Sequence, residues 1–247
     1  FLGNDRMQMS KLLADNRYPI STIELFERRV KDSADLPDWI ENDFNTGDLV
    51  IYNGSTSDYQ EIKFVLTTTR TGVTDFGKFA LGFINTKSHY VKGGVNLTGA
   101  YNSITKKKIA NGYDALQGNS VIALKRKDIG ILQENLTLEQ VLNHKGWRIL
   151  ARHPDEVPEE FAEDFEIFKE YTGKVVFFRH NKAMGMATLD GGIIPMLKAW
   201  HIGRLGSGSD ACGSSNLEYK YVSFVGVAPI ENQNFEAAFA PLYEHSY

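Results

Sequence analysis

The sequence predicts an α+β fold, a mixed or antiparallel sheet with flanking helices and β predominant. Three observations predict it. Apolar residues recur at helical spacing after Ser21, Thr137 and Val157. Elsewhere, short runs rich in β-branched and aromatic residues, such as "DLVIY", "EIKFVL" and "YKYVSFVGV", alternate with segments rich in Gly, Asn, Ser and Thr. A chain of 247 residues that is 42% hydrophobic and 12% aromatic can build one compact unit spanning residues 1–247. A composition change near residue 131 marks a candidate subdomain boundary.

Taken in order, the first element is the helix beginning "STIELFERRV". Ser21 and Glu24 have capping-box spacing, and Ile23, Phe26 and Val30 lie along one face. Two strands follow, flanking the turn-rich "NGSTSD". "TDFGKFALGFI" fits either helix or strand, and its glycines weigh against a helix. Residues 85–119 read as loops with short strands, and "NSVIALKRKDIGIL" as a strand followed by a turn. A helix is expected over 137–152, where Thr137 and Gln140 form a second capping box. Another is expected over 157–173, with Pro158 in its first turn, Gly173 as its stop, and Phe161, Phe165 and Phe168 on one face. "KVVFFRH", "AMGMATL" and "YKYVSFVGVAP" then read as strands.

Charge and cysteine content narrow the setting. A formal net charge of −4 gives no global attraction to nucleic acid or to an anionic membrane. The single cysteine, Cys212, cannot form an internal disulfide, which suits a reducing compartment. No apolar run approaches the ~20 residues of a membrane helix. The first residues lack a signal peptide's order of basic, apolar and small residues. A cytoplasmic protein with no membrane partner is the expectation. Charge is nevertheless uneven. Residues 59–110 carry eight basic and two acidic side chains, whereas 155–166 carries seven acidic and no basic ones. A solvated helix face explains the acidic run. The basic segment offers a surface for a polyanion such as DNA.

The stretch "GDLVIYNGSTSDYQEIKF", residues 47–64, carries the sharpest chemical signal. Side chains alternate along a strand, so Glu61 and Lys63 point one way and Ile62, Phe64 and Leu66 the other. A hairpin symmetric about Ser55 and Thr56 would set Asp48 opposite Lys63, with Glu61 diagonal to it. Two carboxylates beside one ammonium suit phosphodiester hydrolysis. The carboxylates can hold Mg²⁺ against a phosphate, and the lysine can steady the attacking water and the developing charge.

Asp48 with "EIK" (Glu61, Ile62, Lys63) resembles the PD-(D/E)XK nuclease superfamily, which includes many restriction endonucleases. The preceding helix, with Glu24 or Glu27, and the elements after Lys63 match that family's order over roughly residues 21–127. Gly47 stands where the family has Pro. The resemblance implies a Mg²⁺-dependent, restriction-enzyme-like endonuclease acting on DNA. Asp48 and Glu61 would ligate the metal, and Asp48, Glu61 and Lys63 would form the catalytic set.

Two other readings compete. In the first, Glu and Lys merely solvate the outer face of a hairpin in a non-catalytic binding or structural protein. In the second, Cys212 is a nucleophile with His201 or His180 as base, a Cys/His hydrolase. Residues 204–216, "RLGSGSDACGSSN", could bring backbone N–H groups to a phosphate, but no Walker lysine follows, and a surface loop fits better. The six histidines show no metal-ligand spacing. Asn53, Asn96 and Asn135 begin sequons that matter only in a secreted chain.

Overall fold

The strand Phe44–Tyr52 is buried along its whole length, as a strand covered on both faces must be, and the fold is organised around it. The computed structural model describes residues 8, 11–12, 15, 17–31, 38–52, 61–70, 72–84, 90–91, 93–125, 128, 136–178, 186–187, 194–204, 211–213, 217 and 223–227. Strands in chain order are β1 (Tyr18–Pro19), β2 (Phe44–Tyr52), β3 (Glu61–Val65), β4 (Thr68–Thr69), β5 (Gly72–Val73), β6 (Tyr90–Val91), β7 (Gly94–Asn96) and β8 (Thr98–Asn102). They continue with β9 (Lys107–Asn111), β10 (Val121–Lys125), β11 (Met186–Ala187), β12 (Met196–Ile202), β13 (Ala211–Cys212), β14 (Ser223–Phe224) and β15 (Gly226–Val227). Helices are α1 (Thr22–Lys31), α2 (Asp38–Glu41), α3 (Asp75–Ile84), α4 (Gly112–Ala115), α5 (Leu138–Asn143), α6 (Lys145–Leu150) and α7 (Phe165–Phe178).

Helix and strand take 38% and 34% of the described residues, so the fold is α+β as expected, with helix rather than strand the larger share. The main sheet runs β10-β3-β2-β12-β13-β11, with β14 beside β2 and β7 beside β12. It draws strands from both sides of residue 131. On one face α1 and α5–α7 bury an aromatic cluster. Phe26 stacks on Tyr171 at 4.1 Å between centroids and lies 6.0 Å from Trp147, while Phe64 stacks on Trp200 at 5.2 Å. On the other face Leu49, Ile51, Val65 and Leu197 pack with Leu81 and Phe83 of α3 and with Leu97, Ala100 and Tyr113.

Local signals held where they were strongest. At α1 the Ser21 N–H donates to Glu24 Oε2 (2.8 Å) while Ser21 Oγ accepts from the Glu24 N–H (3.3 Å). The Thr137–Gln140 capping box is formed as well. The 74–84 segment is the helix α3. Its Gly77 sits so close to β4 that a Cβ there would lie 2.1 Å from the Thr67 carbonyl oxygen, so close approach outweighs helix propensity.

Four expectations are corrected. The 137–152 helix is two helices broken at His144, which caps the first and whose Nδ1 accepts the Trp147 N–H at 3.4 Å to start the second. The 157–173 helix begins instead with a 3₁₀ turn at Glu159–Phe161, and α7 starts at Phe165. Helix α7 then runs through Gly173 and into "KVVFF", which local preference had made a strand. Burial of Phe168, Tyr171 and Thr172 at helical spacing against α1 overrides that preference. "YKYVSFVGVAP" supplies two short strands, β14 and β15, in place of one.

Candidate functional site

The hairpin forms, but its register separates the three residues expected to converge. Lys63 lies opposite Ile51, three residues along β2 from Asp48. Ile51 belongs to the core on the α3 side of the sheet. Lys63 follows it there, donating to the carbonyls of Tyr113 (2.9 Å) and Leu116 (3.2 Å) with its ammonium 3.9 Å from the Tyr113 ring centroid. Burial lowers the Lys63 pKa against the opposing pull of Glu61. Glu61 is exposed and accepts from the Tyr113 hydroxyl at 2.8 Å.

Asp48 faces the α1 side and is fully buried. Its Oδ2 accepts the Thr22 N–H (2.9 Å), one of the unpaired donors at the start of α1, and its Oδ1 accepts from Arg152 (2.7 Å). Gly47 has a structural reason not to be Pro. Its N–H donates to the Ile20 carbonyl at 2.7 Å, and a Cβ there would lie 2.7 Å from Pro19 O. The turn joining the two strands, the Asn53 sequon included, lies outside the described residues.

Asp48 is the centre of a buried charge cluster that sequence reasoning missed. Arg152 is fully buried at the end of α6, with φ of 60°. Burial alone would lower its pKa, but Asp48 and Glu163 outweigh that and raise it. Half-buried Glu163 is pushed up to about 7, chiefly by burial, with Arg152 opposing and Glu24 reinforcing. Burial and the neighbouring Glu24, which accepts from it at 3.2 Å, raise the Tyr18 hydroxyl. The cluster ties α1, β2, β4 and the segment before α7 together. Among the described residues no group of three or more His, Cys, Asp or Glu could hold a metal ion.

The end of the sheet where β12 runs out toward β13 is built differently. Asn45, His201 and Cys212 are cross-strand neighbours on β2, β12 and β13 and therefore share a face. His201 Nδ1 lies 3.2 Å from Asn45 Oδ1, and both His201 and Cys212 are half-buried. The Cys212–His201 pair of the hydrolase reading is thus brought together, whereas His180 lies outside the described residues. Beneath this row, Arg29 is buried on α1. It donates to the carbonyls of Trp39 (2.8 Å), Asn42 (3.1 Å) and Gly203 (3.0 Å) and to the Tyr171 hydroxyl (2.8 Å). The Arg204 N–H donates to Asp43 (2.8 Å), Tyr52 donates to the Gly213 carbonyl (3.0 Å), and the Leu217 N–H donates to the Gly93 carbonyl (2.7 Å). The Gly/Ser-rich stretch 204–216 is therefore fastened at both ends. The only sequence signal for Arg29 was a cation three residues from Phe26, on the helix's apolar face.

Comparison with known proteins bears on the fold. No family model matches the chain, and no curated protein matches it. A solved structure described as "Accommodation of massive sequence variation in Nanoarchaeota by the C-type lectin fold" is similar over 91% of this chain and 92% of that one. The TM-score is 0.53 at 10% sequence identity. The likeness is one of fold, and the fold is that of C-type lectins.

This overturns the PD-(D/E)XK resemblance and the restriction-enzyme-like endonuclease it implied. The nuclease, hydrolase, DNA-binding and magnesium chemistry that this resemblance implied conflicts with that fold. DNA as a partner of the 59–110 segment has no support either. Lys63 is turned onto carbonyls, Lys78 lies 3.4 Å from Asp75, and Lys107 and Lys108 project from the exposed strand β9. No helix among the described residues is long and apolar enough to cross a membrane.

Proposed function

We propose that this chain is a non-catalytic binding protein whose recognition surface is the loop-bearing end of the sheet, where residues 204–216 leave β12 and return through β13. The observation that carries the reading is the fastening of that stretch. Arg29 and Asp43 hold its start, and Tyr52 and the Gly93 carbonyl hold its end. A connection anchored at its base can change its tip residues without disturbing the core, which is what a rigid scaffold presenting binding loops requires. The structural neighbour is described as accommodating massive sequence variation on the same fold, and this agrees with such a division of labour.

The test separates tip from anchor. Ser207, Ser209 and Ser214 lie in sequence between the anchored residues Arg204 and Leu217, and under this reading exchanging each for Tyr should change stability by no more than about 0.5 kcal/mol. Arg29→Met strips a buried cation from three carbonyls and a hydroxyl and should cost about 3–5 kcal/mol. Wild type, the Tyr variants and Glu61→Gln are then compared on glycan and peptide arrays. Signals that vanish with the tip changes and persist in Glu61→Gln are expected. Tip changes that unfold the chain as Arg29→Met does, or Mg²⁺-dependent plasmid cleavage abolished by Glu61→Gln, would overturn the reading.

A further inference from the structure

The buried charge cluster holds one acid that the fold leaves unanswered. The carboxylates of Asp48, Glu163 and Glu24 surround the fully buried guanidinium of Arg152. Two of them are well bonded. Asp48 takes the Thr22 N–H and Arg152, and Glu24 takes the Ser21 N–H and hydroxyl and the Tyr18 hydroxyl. Glu163 differs. Among the described residues its carboxyl accepts no hydrogen bond and lies in no ion pair, although Arg152 is near enough to act on its charge. The Arg152 Nε–H is likewise buried without a partner. The two unmet groups stand in one cluster and do not meet.

The backbone around Glu163 is lightly held. The link 162–164 joins the 3₁₀ turn to α7. Phe161 and Phe168, before and after it, are buried, whereas Ala162 and Glu163 are half-buried and Asp164 is exposed. The Glu163 N–H ties the link to the cluster by donating to the Arg152 carbonyl over a long 3.3 Å. Arg152 itself holds φ of 60°, a left-handed conformation that a residue with a Cβ adopts only under strain. The charged groups facing the Glu163 carboxyl are Glu24 on α1, Asp48 on β2, Arg70 between β4 and β5, and Arg152 after α6. Tyr18 on β1 bonds Glu24 from behind. Burial disfavours the ionised carboxyl most, Glu24 and Asp48 add to that, and Arg152 and Arg70 oppose it. An ionised Glu163 therefore gains by returning to water, and a weak backbone bond is what holds it back.

We propose that the link 162–164 is a proton-operated latch, closed on Arg152 while Glu163 is protonated and swung out to solvent, with loss of the Glu163 N–H bond to the Arg152 carbonyl, when Glu163 ionises. Phe161 and Phe168 keep the flanking elements seated, so the sheet and α7 stay in place. The latch is separate from the loop-bearing end and stands whether or not that surface binds anything.

The test is NMR on the full chain, labelled with ¹³C and ¹⁵N, from pH 4 to 8. The Glu163 carboxyl carbon should titrate with its inflection near 7 instead of 4.5. Protection of the Glu163 amide from hydrogen exchange, taken relative to the intrinsic rate at each pH, should fall about tenfold from pH 4 to 7 and stay level above that. This is the sign expected when the closed state holds the proton more tightly than the open one. At pH 8 the amides of Val50 and Ile51, in the buried strand β2, should still be protected about 100-fold more than that of Glu163, because the opening is local. Glu163→Gln imitates the protonated acid and should keep its protection at position 163 to pH 8. Wild-type protection that does not change with pH, an equal fall in Glu163→Gln, or equal protection of Glu163, Val50 and Ile51 at pH 8 each overturns the proposal, as does an inflection near 4.5. If Glu163→Gln does not fold, the wild-type inflection and the contrast between the Glu163 and β2 amides decide.

Discussion

Glu163 offers a test of the buried charge cluster in which the sign is as informative as the size. Its pKa rises from an ordinary 4.5 to about 7, mainly because burial disfavours its charged form. A carboxyl whose folded pKa exceeds its unfolded one is bound to its proton more tightly in the native state. Its contribution to stability is therefore greatest below pH 4.5, declines as pH climbs toward 7, and is level above that. The full displacement corresponds to about 3 kcal/mol at 1.36 kcal/mol per unit. Glu163 is only half-buried, so water screens part of this, and about 1–2 kcal/mol is the working expectation. Glu163→Gln imitates the protonated acid. It should match wild type at pH 4 and exceed it by that amount at pH 8, about 2–8 °C in Tm for a chain of this size. Urea denaturation of both proteins at unit steps from pH 4 to 8 isolates the difference, because every other carboxylate titrates in both. A difference that stays constant across the range, or a wild type more stable than the variant at pH 8, would refute the placement of Glu163 beside Glu24 and Asp48.

Two further outcomes follow from the packing. Arg152→Met should cost about 3–5 kcal/mol because it leaves Asp48 charged and buried, and Asp48→Asn added to it should recover part of that loss; a double-mutant cycle in urea measures the coupling. Gly77→Ala should destabilise by about 1–3 kcal/mol or more, since the added carbon would sit 2.1 Å from backbone at Thr67, and thermal unfolding reads it directly.

What the sequence disclosed was local. The capping boxes at Ser21–Glu24 and Thr137–Gln140 span three residues each, and both form. The strands of the 47–64 hairpin were visible in their apolar residues, and so was the Gly/Ser-rich stretch 204–216. What stayed hidden depends on partners far along the chain. Asp48 is fixed by residues 26 and 104 positions away, and Arg29 reaches 174 positions to Gly203. Helix α7 shows the same limit from the other side. Gly173 and the β-branched pair after it argue for a stop, and the aromatic contacts of Phe168 and Tyr171 with Phe26 override them.

The failed nuclease motif shows how a correct element can carry a wrong site. The strands of the hairpin were placed correctly, and Glu61 and Lys63 do take the face opposite Ile62 and Phe64, but that face is covered by a core of its own on the α3 side. The error lay in the register, displaced by three residues. An odd displacement in a strand inverts every side chain with respect to its partner strand. Asp48 thereby joins the α1 side of the sheet, and Lys63 the α3 side. The strand adds its own irregularity, since Leu49 pairs with Ala199 and Asn45 with His201, so that β2 passes four positions while β12 passes two. Asp48 lies within that irregular segment, where its carboxylate is turned to the start of α1 and to Arg152. A motif written across two strands is a statement about register. In this chain the register places a lone acid in a structural ion pair and leaves the other two residues to bond around Tyr113.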